Sequence, residues 1–368
     1  MAMINRFRSH RRHADLTPGS AFWSEVGVRV NGTRLMLPGP SGDPLHVLIG
    51  GQTGSGKSVL ERVMLGADAI RPDVAFVGLD PKRTALGMWS PRSTLTERTI
   101  GGCTKALVML WREVHRRLDI METAGIDEWH PELGGPFIKV TIDELTEVVA
   151  PDGDKVAHLL ADAEHLLPGS AEFKEHARSL REALAGAKKG QEAQGVFLTS
   201  LARICRSSGV QIVAATQYPE SSVLDPQFRS NMTVRVMLRV ASNEMVRVIL
   251  GAGSTDDITS DSIPVDERGG CWVGGVEARP VRGRAFFAST AHGKARAIET
   301  AHLRWPPEMV FPGQVVGGEA VGEADRREAE TTADPVPHQP TTTLGDVQAD
   351  DDVAVAGVWF FPVRGASR

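Results

Sequence analysis

The sequence predicts an α/β fold with a mostly parallel sheet and helices on both faces. Five short runs are rich in β-branched residues and almost continuously apolar, as expected of strands that are buried on both faces. They are His46–Ile49, Val74–Leu79, Phe137–Ile142, Val210–Ala215 and Val234–Val240. The amphipathic stretches with helical periodicity between them are Ser58–Ala69, Lys105–Ala124 and Leu198–Arg206. Alternation of strands with helices is typical of a parallel sheet that helices cover on both sides.

Composition divides the 368 residues into a lead-in, a body and a tail. Residues 1–43 form a basic lead-in, in which Asn31-Gly32 separates two short alternating runs and predicts a β-hairpin. The strand–helix alternation occupies residues 44–315. It is interrupted at 155–193, where two helical patterns on either side of a Pro-Gly-Ser segment predict an inserted helical hairpin.

The tail, residues 316–368, is rich in Gly, Ala, Asp, Glu, Thr and Pro, which predicts a disordered acidic segment. Its stretch from Glu319 to Asp352 holds ten acids and two arginines, a balance of −8, so the formal net charge of −5 leaves +3 for the rest of the chain. A weakly basic body is compatible with a nucleic-acid partner. The tail ends in the apolar run Val353–Val363, which is either a docking peptide or an exposed end of no consequence.

Three further observations bear on the class of protein. No stretch approaches 18 consecutive apolar residues, which excludes a membrane-spanning helix. The basic N-terminus has no apolar core after it and is therefore not a secretory signal. Three cysteines form no Cys-x-x-Cys pair and leave one unmatched, which fits a reducing cytoplasm. We expect a cytoplasmic protein.

A glycine-rich segment follows the first predicted strand and opens the first predicted helix. Its residues are Gly51, Gln52, Thr53, Gly54, Ser55, Gly56, Lys57 and Ser58, which match the pattern G-x-x-x-x-G-K-[ST]. The glycines let backbone N–H groups converge on phosphate oxygens at a helix N-terminus. Lys57 would reach the β- and γ-phosphates, and the Ser58 hydroxyl would ligate Mg²⁺. The segment predicts that the protein binds a nucleoside triphosphate.

An acid pair, Asp143 and Glu144, follows the predicted strand Phe137–Ile142. Asp143 at the carboxyl end of the strand would hold Mg²⁺, directly or through water. Glu144 is suited to orient and polarise the attacking water, which predicts hydrolysis as well as binding. We expect the acid pair and Lys57 to meet across one crevice at adjoining strand ends.

Three other classes of phosphate-binding enzyme lack support in the sequence. A GTPase would show an Asn-Lys-x-Asp motif, and an ABC-type ATPase would show a Leu-Ser-Gly-Gly motif; the chain has neither. A small-molecule kinase would need an arginine-rich lid, and the segment 155–193 has too few arginines for one.

Several segments in order resemble the FtsK/SpoIIIE family of DNA-pumping ATPases, within the wider FtsK–HerA group. Leu79–Lys82 is similar to the Asp-Pro-Lys segment of that family, and Glu113–Arg117 to its Glu-x-x-x-Arg-Arg segment. Ala214–Pro219 is similar to its Ala-Thr-Gln-Arg-Pro segment. Four polar residues then fall at the spacing of its last core strand and next helix, namely Asn231, Arg235, Arg239 and Arg247. The resemblance covers about 44–290.

The resemblance implies a RecA-like P-loop domain in a homo-hexameric ring, which hydrolyses ATP with Mg²⁺ at subunit boundaries and threads double-stranded DNA through a pore. It implies that Gln217 senses the γ-phosphate. Arg206 lies where the family keeps an arginine, and it is either the finger that reaches a neighbour's site or a packing arginine. Arg235 and Arg239 are the other candidates for that finger. Asp80 and Lys82 are expected to pair with each other behind the nucleotide, or to lie at the subunit interface.

The chain also departs from the family pattern. Tyr218 replaces the arginine that usually follows the glutamine, and the insert 155–193 is longer than the family's usual connection. We expect no winged-helix module and no membrane region. A membrane-anchored partner that recruits the chain to the membrane periphery is a further expectation. This build is similar to the motors of actinobacterial mobile elements and predicts a role in conjugative plasmid transfer, or in chromosome partitioning.

Two other functions stay open at this point. A branch of the same superfamily moves polypeptides in type VII secretion, although one P-loop in 368 residues counts against that interpretation because such chains usually carry several motor domains. The third hypothesis is a nucleotide-switched DNA-binding regulatory protein. Glu144, Gln217 and the candidate finger argue against an inert site.

Overall fold

The computed structural model describes residues 23–41, 44–149, 191–217, 225–251 and 257–314. All but the last two of these residues belong to one compact unit, Met1–Pro312. The predicted acidic tail and all but the last three residues of the predicted insert lie outside the described residues.

A mixed sheet of ten strands is built from the described residues. The strands are β1 (Trp23–Arg29), β2 (Arg34–Pro38), β3 (Val47–Gly50), β4 (Val74–Leu79), β5 (Leu95–Glu97), β6 (Phe137–Ile142), β7 (Val210–Thr216), β8 (Val234–Met237), β9 (Gly270–Gly274) and β10 (Val281–Ala285). The α-helices are α1 (Lys57–Asp68), α2 (Ile100–Ala124), α3 (Leu145–Val149), α4 (Gln191–Ile204), α5 (Pro226–Asn231), α6 (Asn243–Leu250), α7 (Thr290–Glu299) and α8 (Pro307–Val310). Within these residues, no helix is both long and apolar enough to cross a bilayer.

Six strands form the parallel part of the sheet, in the order β8-β3-β7-β6-β4-β5. All five strands predicted from the sequence are among them, which confirms the α/β class. The expectation that the glycine-rich loop and the acid pair follow adjoining strands was wrong. β3, which leads into the glycine-rich loop, pairs with β7 and β8, so β7 separates it from β6, which carries the acid pair.

Helices cover both faces of β3. Successive side chains of a strand point to opposite faces of the sheet. Ile49 packs in one core cluster with Leu60 of α1. The next residue, Gly50, faces α6, where a Cβ atom would lie 2.2 Å from a methyl carbon of Ile249. Glycine at position 50 therefore lets α6 approach the sheet closely, on the face opposite α1.

Four antiparallel strands extend the sheet beyond β8, in the order β9-β10-β1-β2. The predicted hairpin is present as β1 and β2, and β1 also pairs with β10. At this junction a Cβ atom on Gly27 would lie 2.1 Å from the carbonyl oxygen of Arg284. The sequence analysis did not predict β9 or β10.

Local capping residues determine where α1 begins and where α2 begins and ends. Gly56 adopts φ 109° immediately before α1, and a left-handed glycine can break the chain direction at no steric cost. The side chain of Thr99 accepts a hydrogen bond from the backbone N–H of Gly102 and caps α2. Gly125, at φ 66°, ends the same helix. Helix α2 therefore begins five residues before the predicted start at Lys105.

The Glu-x-x-x-Arg-Arg segment on α2 acts as a structural anchor. Arg117 is fully buried, pairs with Glu113 at 2.7 Å and donates to the carbonyls of Ser208 and Pro136. Its guanidinium also lies 4.4 Å from the ring centre of Trp129. These contacts hold α2 to the segments that enter β6 and β7.

A second buried ion pair ties α1 to the middle of the sheet. Lys139 projects from β6 and pairs with Asp68 at the end of α1, and neither side chain is more than 1% exposed. Asp68 also accepts a hydrogen bond from the Ser24 hydroxyl of β1 at 2.8 Å. One carboxylate therefore joins the central sheet, α1 and the antiparallel extension.

Asp68→Ala should lower the free energy of unfolding by about 3–5 kcal/mol, because it leaves the Lys139 ammonium buried without its counter-charge. Urea denaturation of the purified protein measures this. The double variant Asp68→Leu/Lys139→Met removes both charges and should recover most of the loss. Equal stability of the wild type and Asp68→Ala would contradict the assignment.

Candidate nucleotide-binding and hydrolysis site

The glycine-rich loop lies at the carboxyl edge of the parallel sheet, between β3 and α1. Gly54 and Gly56 have φ values of 80° and 109°, which residues with side chains rarely adopt. The N–H of Gly51 donates to the carbonyl of Thr216 at the end of β7 (3.2 Å). The loop therefore curls at the N-terminus of α1, where backbone N–H groups and the helix dipole favour anions.

Lys57 is the buried cation of the site, with 5% of its side chain exposed. Its ammonium donates to the backbone carbonyl of Asp143 and, at 3.1 Å, to the Asp143 carboxylate. Burial alone would lower the pKa of Lys57, but the nearby carboxylates, those of Glu61, Asp143 and Glu144, outweigh burial and raise it. Lys57 and Asp143 are thus in direct contact, although β7 lies between β3 and β6, the strands that lead into them.

Asp143 is held from two sides. Lys57 donates to one carboxylate oxygen and the Thr84 hydroxyl donates to the other at 3.0 Å. Thr84 belongs to the turn after β4, the strand next to β6. Because both oxygens are held, the carboxylate has a defined direction at the end of β6.

Glu144 and Gln217 lie together on the same edge. The backbone N–H of Gln217 donates to both carboxylate oxygens of Glu144 (3.2 and 3.3 Å), and Glu144 is 1% exposed. The side-chain oxygen of Gln217 accepts a hydrogen bond from the Thr53 hydroxyl at 3.0 Å. Gln217 thereby connects the glycine-rich loop to the acid pair. This arrangement is compatible with the predicted sensor role.

The oxygen donors near Lys57 fit a magnesium ion. Ser58 lies in the first turn of α1, half-buried, and Asp143 ends β6. Mg²⁺ prefers a hydroxyl and a carboxylate supplemented by substrate phosphates and water, so it needs no cage of three acidic or histidine ligands. Within the described residues no such cage is found. The buried Ser55 hydroxyl also has no hydrogen-bond partner there, which leaves it available to a phosphate oxygen.

Arg239 flanks the loop on the side opposite β7. Its carbonyl accepts a hydrogen bond from the N–H of Gln52 (2.9 Å). Its guanidinium donates to the side-chain oxygen of Gln52 at 3.1–3.3 Å when the Gln52 amide is turned so that its oxygen faces Arg239, the orientation that satisfies both groups. Arg239 therefore contacts the glycine-rich loop of its own chain.

Arg206 is not part of its own chain's site. It lies in the turn between α4 and β7, at the amino end of β7. The glycine-rich loop and the acid pair are at the carboxyl ends of the strands, about 20 Å away along a seven-residue strand. An arginine that acts on the nucleotide of a neighbouring subunit would lie far from the nucleotide of its own chain. The role of Arg206 as that arginine therefore stays a prediction.

Comparison with known proteins identifies the family. The FtsK/SpoIIIE family profile matches residues 36–250, more than half of the chain, including the loop, the acid pair and Gln217. The chain belongs to the FtsK/SpoIIIE family. Both the family and the fold are those of ATPases, which confirms the enzyme class that the loop and the acid pair predicted.

Curated relatives of this FtsK/SpoIIIE protein are similar at low identity. The Tra protein of Streptomyces lividans is 27% identical over 226 residues, which cover 59% of this chain and 32% of the relative. The DNA translocase FtsK of Staphylococcus epidermidis is 22% identical over 249 residues, covering 59% and 26%. The match thus spans a third or less of each of these two relatives.

Solved structures share the fold of this FtsK/SpoIIIE protein. The cytoplasmic domain of the type VII secretion ATPase EccC of Thermomonospora curvata aligns with a TM-score of 0.55 at 19% identity, covering 79% of this chain and 32% of that one. The conjugation coupling protein TcpA of pCW3, a monomer with ATPγS, aligns with the same TM-score and identity, covering 76% and 70%.

Several residues of this FtsK/SpoIIIE site were missed from the sequence. Thr84 had no signal, because a threonine in a turn is ordinary and its contact with Asp143 spans 59 residues. Glu61 did have one, since it follows Lys57 by four residues and so lies on the same face of α1. It is buried, and desolvation raises the pKa of Glu61 well above its ordinary value, against the opposing effect of Lys57.

The expected ion pair between Asp80 and Lys82 was wrong. Asp80 accepts hydrogen bonds from backbone N–H groups, and Lys82 contacts Glu144 instead.

Lys57→Ala should abolish nucleotide binding by this FtsK/SpoIIIE protein, because it removes the buried cation that faces the phosphate cradle. Equilibrium titration with a fluorescent ATP analogue measures the loss. Lys105→Ala removes an exposed lysine of α2 and should bind as the wild type does. Retained affinity in Lys57→Ala would show that the triphosphate binds elsewhere.

Proposed function

We propose that this protein is an ATP-hydrolysing ring motor that translocates double-stranded DNA. The observation that carries the proposal is the convergence of Lys57, Asp143, Glu144 and Gln217 on one edge of the sheet. A buried cation, a candidate metal ligand and a candidate base in one crevice are the parts that phosphoryl transfer to water requires.

Each residue has a distinct role in the proposed hydrolysis. Glu144 accepts a proton from water as the water oxygen bonds to the γ-phosphorus and the bond to the bridging oxygen breaks, leaving ADP and phosphate. Lys57 stabilises the charge on the phosphate oxygens. Ser58 and Asp143 would hold Mg²⁺, which neutralises phosphate charge when bound. Gln217 reports the γ-phosphate to the acid pair through its contacts with Thr53 and Glu144.

The site is incomplete without a second subunit, and we propose a homo-hexamer. A cation that stabilises the transition state commonly comes from a neighbouring chain. Arg206 is the candidate that we propose for this cation, because it lies where the resemblance to the family places an arginine. Arg235 and Arg239 are the alternatives.

Double-stranded DNA as the substrate is supported by the relatives and by charge. One relative is named a DNA translocase and another Tra, and the similar solved structures include a conjugation coupling protein. The chain outside the acidic segment carries a formal +3. We therefore place the protein in conjugative DNA transfer or chromosome partitioning, with a membrane-anchored partner. EccC, a type VII secretion ATPase, aligns with the same TM-score and identity as TcpA, so protein secretion is the outcome to test against.

Glu144→Gln should bind ATP as the wild type does and hydrolyse it at least about 100-fold more slowly, because an amide cannot take the proton from water. Steady-state phosphate release and ATP titration measure the two effects separately. The control is Glu132→Gln, which makes the same substitution in the exposed turn before β6 and should leave both activities unchanged. Full turnover in Glu144→Gln would require another base.

Linear duplex DNA should stimulate ATP hydrolysis by the wild-type protein strongly, and single-stranded DNA should do so weakly. Phosphate release is measured with each DNA and with none. Indifference to all DNA would favour secretion over translocation, and weak stoichiometric hydrolysis would favour a regulatory switch.

Arg206→Ala should leave ATP binding intact and reduce turnover in the assembled ring by about 10³–10⁵, the usual contribution of an arginine finger. Rings mixed from Arg206→Ala and Glu144→Gln subunits should recover some activity, since each variant supplies what its neighbour lacks. An unchanged rate in Arg206→Ala would remove this residue from the role.

A further inference from the structure

The turn that follows β4 is anchored by one buried carboxylate. Asp80 is fully buried, and its oxygens accept hydrogen bonds from the backbone N–H groups of Thr84 (3.1 Å), Ala85 (3.1 Å) and Leu86 (2.9 Å). The N–H of Asp80 itself donates to the carbonyl of Glu97 on β5 (2.8 Å). The turn is therefore fixed to the carboxyl edge of the sheet beside the acid pair.

The turn also contains the one non-glycine residue with positive φ within the described residues, Arg83 at φ 60°. Such a conformation is unfavourable and tends to persist at functional sites, where the surrounding contacts hold it. The residues on either side of Arg83 reach different acids. Lys82 contacts Glu144 and Thr84 contacts Asp143.

Lys82 lies on the outer side of the Glu144 carboxylate. Its ammonium is 3.4 Å from Glu144 Oε2 and 3.5 Å from Glu147 Oε1 on α3. Lys82 is 30% exposed and Glu144 1% exposed, so the contact joins a solvent-accessible cation to a buried acid. The backbone N–H of Gln217 holds the same carboxylate. The Glu144 carboxylate is thus contacted by Lys82 of the turn after β4 and by Gln217, the residue that follows β7.

We propose that Lys82 is a positioning residue. Together with Gln217 it orients the Glu144 carboxylate so that the carboxylate can accept a proton from the attacking water. The proposal rests on the proposed function of Glu144 as the base. A carboxylate with two anchors has a defined direction, whereas one anchor lets it rotate about its terminal bonds. Misplacement of a catalytic group by even 1 Å can cost a factor of about 100 in rate.

Lys82 does not act on the nucleotide in this proposal. Its described contacts are with the two glutamates, and the phosphate cradle is formed by the loop before α1, where Lys57 supplies the cation. Loss of Lys82 should therefore change the rate of hydrolysis and leave the affinity for ATP unchanged. This separates a positioning residue from a nucleotide ligand.

The test compares kcat, KM and ATP affinity across four variants of the full chain. Lys82→Ala should lower kcat by up to about 100-fold, the cost of misplacing a catalytic group by about 1 Å, with KM and the ATP dissociation constant unchanged. Lys82→Arg keeps a cation of similar reach and should restore most of kcat. Arg83→Ala, which removes an adjacent exposed cation that donates to the carbonyl of Arg98 (3.2 Å), should behave as the wild type does. Glu144→Gln measures the base itself.

The outcomes separate the two proposals. Wild-type kcat in Lys82→Ala, with Glu144→Gln inactive, refutes positioning by Lys82 and leaves the base in place. Full activity of Glu144→Gln refutes the base, whatever Lys82→Ala does. A raised KM with unchanged kcat in Lys82→Ala would make the residue a nucleotide ligand and overturn the inference. Equal losses in Lys82→Ala and Arg83→Ala, with lowered melting temperatures, would overturn it in favour of a structural turn.

Discussion

The site depends on one buried cation, the ammonium of Lys57. Burial disfavours a charge, and the protein offsets that cost with Asp143, whose backbone carbonyl and carboxylate both accept hydrogen bonds from the ammonium. The same ammonium joins the helix that follows the glycine-rich loop to the end of β6.

Because β7 lies between β3 and β6, the site has a middle strand, and Gln217 at its end touches both halves. The side chain of Gln217 contacts Thr53 of the loop and its backbone contacts Glu144. A residue in this place contacts the loop and the acid at the same time. If β3 and β6 were adjacent, the loop and the acid pair would have no intervening strand end to connect them.

The antiparallel extension is also tied to the nucleotide loop. The N–H of Gly269, which precedes β9, donates to the carbonyl of Ser55 (2.9 Å). A Cβ atom on Gly56 would lie 3.0 Å from the nitrogen of Gly269, so the two segments can approach only because position 56 is a glycine. At the other end of α1, Asp68 accepts from Ser24 of β1. Both ends of α1 therefore contact the extension.

The sequence by itself determined five of the six parallel strands, the phosphate loop and the acid pair. Those features depend on local patterns: continuous β-branched runs, glycines before a lysine, and acids directly after a strand. The tertiary structure alone decided that β7 separates β3 from β6, that β9 and β10 join the hairpin to the sheet, and that Thr84 and Lys82 hold the acids. The sequence of β10 is Val-Arg-Gly-Arg-Ala, which has little apolar character. Its pairing with β1 and β9 comes from backbone hydrogen bonds, so the sequence carries no strand pattern there. Contacts between residues some 60 positions apart leave no periodic trace in a chain, since only folding brings them together.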